Sequence, residues 1–136
     1  MAVGMGADPR SRHVDFPALG RLASKWREVA PYYYGDFYPL TPYTTEDSAW
    51  MAWQFNRPAT GDGMVQVFRR SQSPFGEVRF KLRGIDSAGQ YSVTNLDASG
   101  ESRSSGRELA DEGLQVVVKD QPGAVIFVYK KAAVPR

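Results

Sequence analysis

The sequence contains no cysteine among its 136 residues and only one histidine, His13. Disulfides and thiolate metal sites are therefore excluded, and so is a metal site that needs several histidines. Catalytic arrangements of the Ser/His/Asp and Cys/His kinds have no base outside the N-terminal stretch, and no glycine-rich loop of the kind that cradles phosphates is present. We expect neither a metal nor a cofactor.

Long apolar runs are missing as well. No run approaches the ~20 residues that a membrane-spanning helix needs. The first ten residues also lack the apolar stretch of a signal peptide. These patterns predict a soluble, cytoplasmic protein that has no contact with a membrane.

Neither sign of charge dominates, since 17 basic residues stand against 15 acidic ones and the net charge is +2. The nearest approach to a basic stripe is Arg79, Lys81 and Arg83, which alternate with apolar residues. Such alternation is typical of a strand with one face in water. Nucleic acid is therefore not an expected partner.

Paired carboxylates are the remaining route to hydrolysis, because glycosidases use two of them across the scissile bond. Glu46-Asp47 and Asp111-Glu112 are neighbours in sequence. Both pairs lie in turn-like segments, where water keeps carboxylates ionised. We therefore predict no catalytic residue in this chain.

What is present suits one folded domain, since hydrophobic residues make up 42% of the chain and aromatic residues 12%. The pattern divides the chain into four parts. They are a loose N-terminal segment (1–15), a helix plus aromatic connector (16–47), an antiparallel β-sandwich (48–131) and a tail (132–136).

Apolar residues recur at helical spacing between residues 16 and 30. Asp15 and Pro17 fit the start of a helix, with a carboxylate at its N-terminal end and a proline in its first turn. Pro31 ends the helix, because proline clashes with a continued helical backbone. The apolar stripe consists of Leu19, Leu22, Ala23, Trp26 and Ala30.

The connector holds six aromatic residues between positions 32 and 43, together with two prolines and one glycine. It is too irregular for a helix and too aromatic for a bare loop, so we predict that it lies against another surface. Two uses stay open: a domain interface, favoured by its position between helix and sandwich, and a surface that stacks on sugar rings. The candidate residues are Tyr32, Tyr33, Tyr34, Asp36, Phe37, Tyr38, Tyr43, Trp50 and Trp53.

Short strand-like runs separated by turn residues follow the connector, with no helical period between them. This pattern predicts a mainly β fold, an antiparallel β-sandwich of the Greek-key type preceded by one N-terminal α-helix. Residues 107–110 could add a short edge strand. The predicted strands are 49–56, 64–70, 77–83, 90–95, 114–119 and 124–130.

A specific motif runs through the connector as Tyr-Tyr-Tyr-Gly-Asp-Phe-Tyr-Pro-Leu-Thr-Pro, residues 32–42. Further matching stretches are 50–58, 61–64, 68–70, 82–86, 91–94, 105–109, 113–114 and the strand that ends at Tyr129-Lys130. Together they resemble the C-terminal region of glycoside hydrolase family 36, the melibiase-type α-galactosidases, over residues 16–131.

The resemblance implies a retaining enzyme built from an N-terminal β-supersandwich, a catalytic (β/α)8 barrel and a C-terminal β-sandwich. Its two catalytic aspartates lie on barrel strands, in sequence contexts that do not occur here. We therefore expect a non-catalytic accessory domain that supports the barrel, its missing partner, with residues 16–47 as the end of that barrel. Two alternatives remain: a carbohydrate-binding module, and an interaction domain that forms a homodimer through the orphaned helix.

Overall fold

The computed structural model describes Arg10 and residues 12–133, so the predicted loose segment 1–15 and tail 132–136 fall mostly outside the described residues. The chain begins with α1 (Phe16–Val29), a 3-10 segment (Ala30–Tyr34), β1 (Asp36–Pro39), β2 (Met51–Arg57) and β3 (Asp62–Arg69). It continues with β4 (Glu77–Phe80), β5 (Gln90–Asn95), β6 (Glu101–Ser105), α2 (Gly106–Asp111), β7 (Leu114–Val117) and β8 (Gly123–Lys131).

The predicted N-terminal helix is confirmed together with its end signals. The Asp15 side chain accepts a hydrogen bond of 2.9 Å from the backbone N–H of Ala18, and Pro17 lies in the first turn. The helix ends at Val29, and Pro31 opens the 3-10 segment that follows. A cap at one end and a proline at the other thus set the length of α1.

The strands form two antiparallel sheets, a larger one in the order β1-β2-β3-β8-β5-β6 and a smaller one made of β4 and β7. The mainly β antiparallel fold with one N-terminal helix is therefore as predicted, and each of the predicted strands is present. One face of the larger sheet packs on the smaller sheet. The core between them includes Val65, Val67, Phe80, Leu114, Val116, Phe127 and Tyr129.

A polar cluster is buried within this core. The Tyr129 hydroxyl donates to Asn56 Oδ1 at 2.7 Å and accepts from Gln54 Nε2 at 2.7 Å. Both amides also bind the backbone after β4, since Gln54 bonds Arg83 N and O at 2.8 Å each and Asn56 Nδ2 bonds Gly84 O at 2.8 Å. Burial raises the pKa of Tyr129, so the phenol stays protonated. The cluster fastens the segment after β4 to the larger sheet.

Three local predictions were wrong or incomplete. The connector was predicted without a strand, but its residues 36–39 form β1, which pairs with β2. Residues 107–110 are part of the helix α2, because Ser105 and Glu108 form a capping box: Ser105 Oγ accepts from Glu108 N at 3.1 Å, and Ser105 N donates to the Glu108 carboxylate at 2.7 Å. These bonds also hold the pKa of Glu108 below its usual value. The strand β6 escaped prediction because its polar sequence Glu-Ser-Arg-Ser-Ser carries no apolar alternation.

Candidate docking face

The larger sheet is also apolar on the face that points away from β4 and β7. In the ladder between β1 and β2, Phe37 lies opposite Phe55, and between β2 and β3, Trp53 lies opposite Gln66. Residues directly opposite each other in an antiparallel pair share a face, so these side chains point the same way. The term "aromatic face" is used below for Tyr33, Phe37, Trp53, Phe55, Gln66 and Phe68, which line an open depression of about 370 Å³.

The rings of the aromatic face contact one another. Trp53 and Phe68 have ring centroids 5.2 Å apart, and Phe55 lies 5.4 Å from Phe37 and 4.9 Å from Tyr33, edge to face in the second case. Phe37 nevertheless keeps 57% of its surface exposed. The rings therefore form two groups, Trp53 with Phe68 and Phe55 with Phe37 and Tyr33, which line one depression that still meets solvent.

A short chain of hydrogen bonds crosses the centre of this surface. Trp53 Nε1 donates to Gln66 Oε1 at 2.5 Å, and Gln66 Nε2 donates to the Tyr33 hydroxyl at 2.8 Å. The polar atoms of the depression are thus bonded mainly to one another, which lowers the cost of covering them with an apolar partner.

The end of α1 covers the rest of this sheet face. Val29 and Tyr32 pack with Phe55, Met64 and Val128 in a second apolar cluster. The 3-10 segment therefore has two roles: Tyr32 closes the covered part, and the next residue, Tyr33, borders the open part.

An ion pair braces the 3-10 segment. The Arg57 guanidinium lies 4.5 Å from the centre of the Tyr32 ring and bonds the Asp62 carboxylate at 2.9 and 2.5 Å. Burial acts to raise the pKa of Asp62, but the hydrogen bonds from Arg57 and Thr60 and the guanidinium charge outweigh burial and hold that pKa below its ordinary value. The brace joins the β2–β3 hairpin to the segment that carries Tyr33.

The brace predicts a pH-dependent stability. Because the folded-state pKa of Asp62 is lowered, its contribution is fully present above an ordinary aspartate pKa of about 3.9 and is lost as the pH falls through the lower folded pKa. We expect Asp62→Asn to reduce the free energy of unfolding by about 1–2 kcal/mol at neutral pH. In urea unfolding at neutral and acidic pH, the difference in free energy of unfolding between Asp62→Asn and the unmodified chain should shrink as the pH falls.

Asp97→Asn is the matched control, because Asp97 forms an exposed ion pair with Lys25 at 2.8 Å. Exposed pairs contribute little, so this variant should unfold almost like the unmodified chain at every pH. If the loss of stability in Asp62→Asn stayed constant into strong acid, the ion pair of Arg57 and Asp62 would not be its cause.

The residues proposed from the sequence do not form a single patch. Tyr33, Phe37 and Trp53 lie on the aromatic face, whereas Tyr32 is buried beside it, in the covered part of the same sheet face, with only 6% of its surface exposed. Trp50 packs on the other side of the sheet, 6.4 Å from Phe80.

The other proposed residues lie apart from this face. Tyr34 and Tyr43 are each 94% exposed, and Asp36 is exposed on the edge strand. Tyr38 lies opposite the buried Gln54, on the core side of the sheet. Tyr43 borders a smaller, neighbouring hollow with Pro42 and Trp50, which shares Trp53 with the aromatic face.

Sequence reasoning missed Phe55, Gln66 and Phe68, which supply half of the aromatic face. A signal for them exists in β3, where the run Met64-Val-Gln-Val-Phe68 has apolar residues at both parities. A strand with one face in water alternates, so a run that is apolar on both sides predicts cover on both faces.

The carboxylate pairs lie where the sequence placed them, in water. Glu46 and Asp47 are exposed in the loop before β2, and Asp111 and Glu112 are exposed at the end of α2. Within residues 10 and 12–133, no three His, Cys, Asp or Glu side chains gather as metal ligands. Over the same described range, no helix is long and apolar enough to cross a membrane.

Solved α-galactosidases have a similar structure over part of their length. For alpha-galactosidase AgaA from Geobacillus stearothermophilus, a family 36 enzyme, the TM-score is 0.71 at 17% identity, over 90% of this chain and 17% of that chain. This chain shares the fold of that part of the enzyme. For the alpha-galactosidase from Lactobacillus brevis the TM-score is 0.66 at 16% identity, over 91% of this chain and 18% of that chain. For the galactosidase domain of alpha-galactosidase-sucrose kinase, AgaSK, the TM-score is 0.62 at 17% identity, over 85% of this chain and 15% of that chain.

The resemblance to family 36 that the sequence suggested is thus confirmed as a likeness of fold. The chain spans less than a fifth of each of these enzymes. No protein-family model and no curated protein matches the sequence.

Proposed function

We propose that this chain is a non-catalytic accessory domain, of the C-terminal type, in an α-galactosidase-like glycoside hydrolase. It supports the catalytic (β/α)8 barrel by packing the aromatic face against it. In this view residues 16–47 are the end of the barrel and the connector, and residues 48–131 form the accessory domain, to whose larger sheet the connector adds β1 by pairing with β2. The likeness of fold to less than a fifth of such enzymes supports this proposal.

The observation that carries the proposal is an open aromatic depression on a sheet whose opposite face already packs on the core. Connected apolar patches on one side of a small domain are typical of protein interfaces. The helix α1 also exposes apolar side chains, since Phe16, Leu22 and Trp26 are 58%, 61% and 40% exposed. Apolar side chains exposed on both the sandwich and the helix are consistent with a contact to a neighbouring domain of the parent enzyme.

A sugar site is the competing use of the same rings. Sugar hydroxyls need several convergent polar groups, whereas Trp53, Gln66 and Tyr33 bond one another in the depression. This arrangement favours a protein partner over a glycan.

Two phenylalanines provide a matched test of docking. We expect that fusing this chain to alpha-galactosidase AgaA, in place of the segment it matches, gives a soluble protein. Phe37→Ser, on the aromatic face, should lower its soluble yield and melting temperature, because an interfacial ring is lost. Phe75→Ser removes a ring that is 69% exposed in the loop before β4, so it should change neither quantity. Equal behaviour of the two variants would contradict docking through this face.

The isolated chain should not bind sugars. Titration with galactose, raffinose and galactomannan at millimolar concentrations should leave its tryptophan fluorescence unchanged. A saturable change that Phe37→Ser abolishes would support the carbohydrate-binding alternative instead.

A further inference from the structure

We propose that the partner of the aromatic face is acidic at one point: it places a carboxylate against the Tyr33 hydroxyl, within an otherwise apolar contact. This inference rests on the proposed docking function and specifies the chemistry of the surface that docks.

The direction of the hydrogen bonds leaves the Tyr33 hydroxyl with a hydrogen to donate. An indole N–H can only donate, so the bond from Trp53 Nε1 fixes the oxygen of the Gln66 amide on that side. The amide nitrogen of Gln66 therefore faces Tyr33 and donates to its hydroxyl oxygen at 2.8 Å. The Tyr33 hydroxyl is an acceptor in this bond, and its own hydrogen remains available to donate.

The described part of the chain provides no acceptor for this hydrogen. The Gln66 contact is the one hydrogen bond of the Tyr33 side chain within residues 10 and 12–133. Water can satisfy the hydroxyl while the face is open, but a docked partner displaces that water. A covered donor without an acceptor is costly, so a matching partner supplies an oxygen at this place.

The positive charge of Arg70 also favours an acidic partner. Arg70 is half-buried next to Met51, which lies on the same sheet face as Trp53. Its guanidinium donates to the Glu46 backbone carbonyl at 2.7 Å, and no carboxylate of the described residues pairs with it. Arg70 lies at the border of the aromatic face, because it lines one hollow with Trp53 and another with Phe68. The face therefore has an open donor at Tyr33 and, at its border, a cation without an acidic partner, and carboxylates on the docking surface complement both.

The probe for the test is AgaA without its matching segment, to which the isolated chain is added in trans. Calorimetry or surface binding gives the Kd for the native chain and for Tyr33→Phe, Arg70→Gln, Phe37→Ser and Phe75→Ser. Tyr33→Phe keeps the ring and removes one hydroxyl, so we expect about tenfold weaker binding if a charged acceptor is lost. Arg70→Gln and added salt should each weaken binding as well, whereas Phe75→Ser should not.

The outcomes separate the two proposals. Binding that Phe37→Ser weakens, but that Tyr33→Phe and salt leave unchanged, would overturn the acidic acceptor and leave the docking function standing. A Tyr33→Phe effect that is the same at low and high salt would identify a neutral carbonyl and also overturn the carboxylate. No binding by the native chain, or equal binding by Phe37→Ser, would contradict docking itself.

Discussion

Replacing Gly63 by alanine should destabilise the chain by about 3–5 kcal/mol, enough to leave a domain of this size largely unfolded. Gly63 lies opposite Tyr129 in the ladder between β3 and β8, and the tyrosine side chain crosses directly over it. A methyl group at residue 63 would coincide with the Tyr129 hydroxyl and would lie 2.5 Å from the carbonyl oxygen of Phe55. Neither neighbour can move freely, because one is buried and the other is backbone.

The cost arises mainly from the polar cluster. To make room, Tyr129 has to leave its position, which breaks its hydrogen bonds to Gln54 and Asn56 and leaves two buried amides short of partners. Each unsatisfied buried group costs on the order of 1–3 kcal/mol, in addition to the strain of overpacking.

Denaturant unfolding followed by circular dichroism measures this effect. Gly20→Ala is the matched control, because Gly20 lies in α1 and, apart from its chain neighbours and the backbone of its own helix, no atom lies within 4 Å of the added methyl. Alanine is the better helix former by up to about 1 kcal/mol, so the same substitution should stabilise the chain there. If Gly63→Ala unfolded at the same denaturant concentration as the native chain, the packing of Tyr129 described above would be wrong.

Replacing Arg69 by alanine should have the next largest effect, a loss of about 2–4 kcal/mol. Arg69 is 9% exposed and binds the backbone oxygens of Val118, Lys119 and Ser73 at 2.9, 3.1 and 3.2 Å. It also bonds Gln121 Oε1 at 3.1 Å. One guanidinium thereby holds the loop after β3 against the connection between β7 and β8, and its removal leaves several carbonyls without a donor.

The neighbouring residue provides the comparison. Arg70 is more exposed and bonds one backbone carbonyl and the sulfur of Met51, so Arg70→Ala should cost less than half as much in the same unfolding experiment. Equal losses for Arg69→Ala and Arg70→Ala would mean that the guanidinium of Arg69 does not organise these loops.

The parts of the fold that were predictable are those encoded by local chemistry. Asp15, Pro17 and Pro31 bound α1 through caps and backbone sterics, which act over a few residues. Strands such as β5 are predicted by a short run of residues that favour strands, bounded on each side by turn residues. The segment 107–110 was mistaken because its four residues alone do not show that Ser105 and Glu108 cap a helix around them.

The aromatic face was only partly predictable, because it depends on which strands become neighbours. Alternation alone separates Trp50 from Trp53 and Phe37 from Tyr38, since each pair differs by an odd number of positions along an extended chain. Which of these rings meet Gln66 and Phe68 is decided by the pairing of β1 with β2 and of β2 with β3. Such pairing is non-local, so the composition of the connector indicated a contact surface without showing its members.

Oxidative footprinting of the aromatic side chains, read by mass spectrometry, tests the docking of the aromatic face most directly. It compares the isolated chain with the chain fused to AgaA in place of the segment it matches. Docking predicts that Phe37, Trp53 and Phe68 become protected on fusion, while the exposed Phe75 reacts equally in both proteins. Equal reactivity of all four side chains in the two proteins, or protection of the face by raffinose in the isolated chain, would contradict the account.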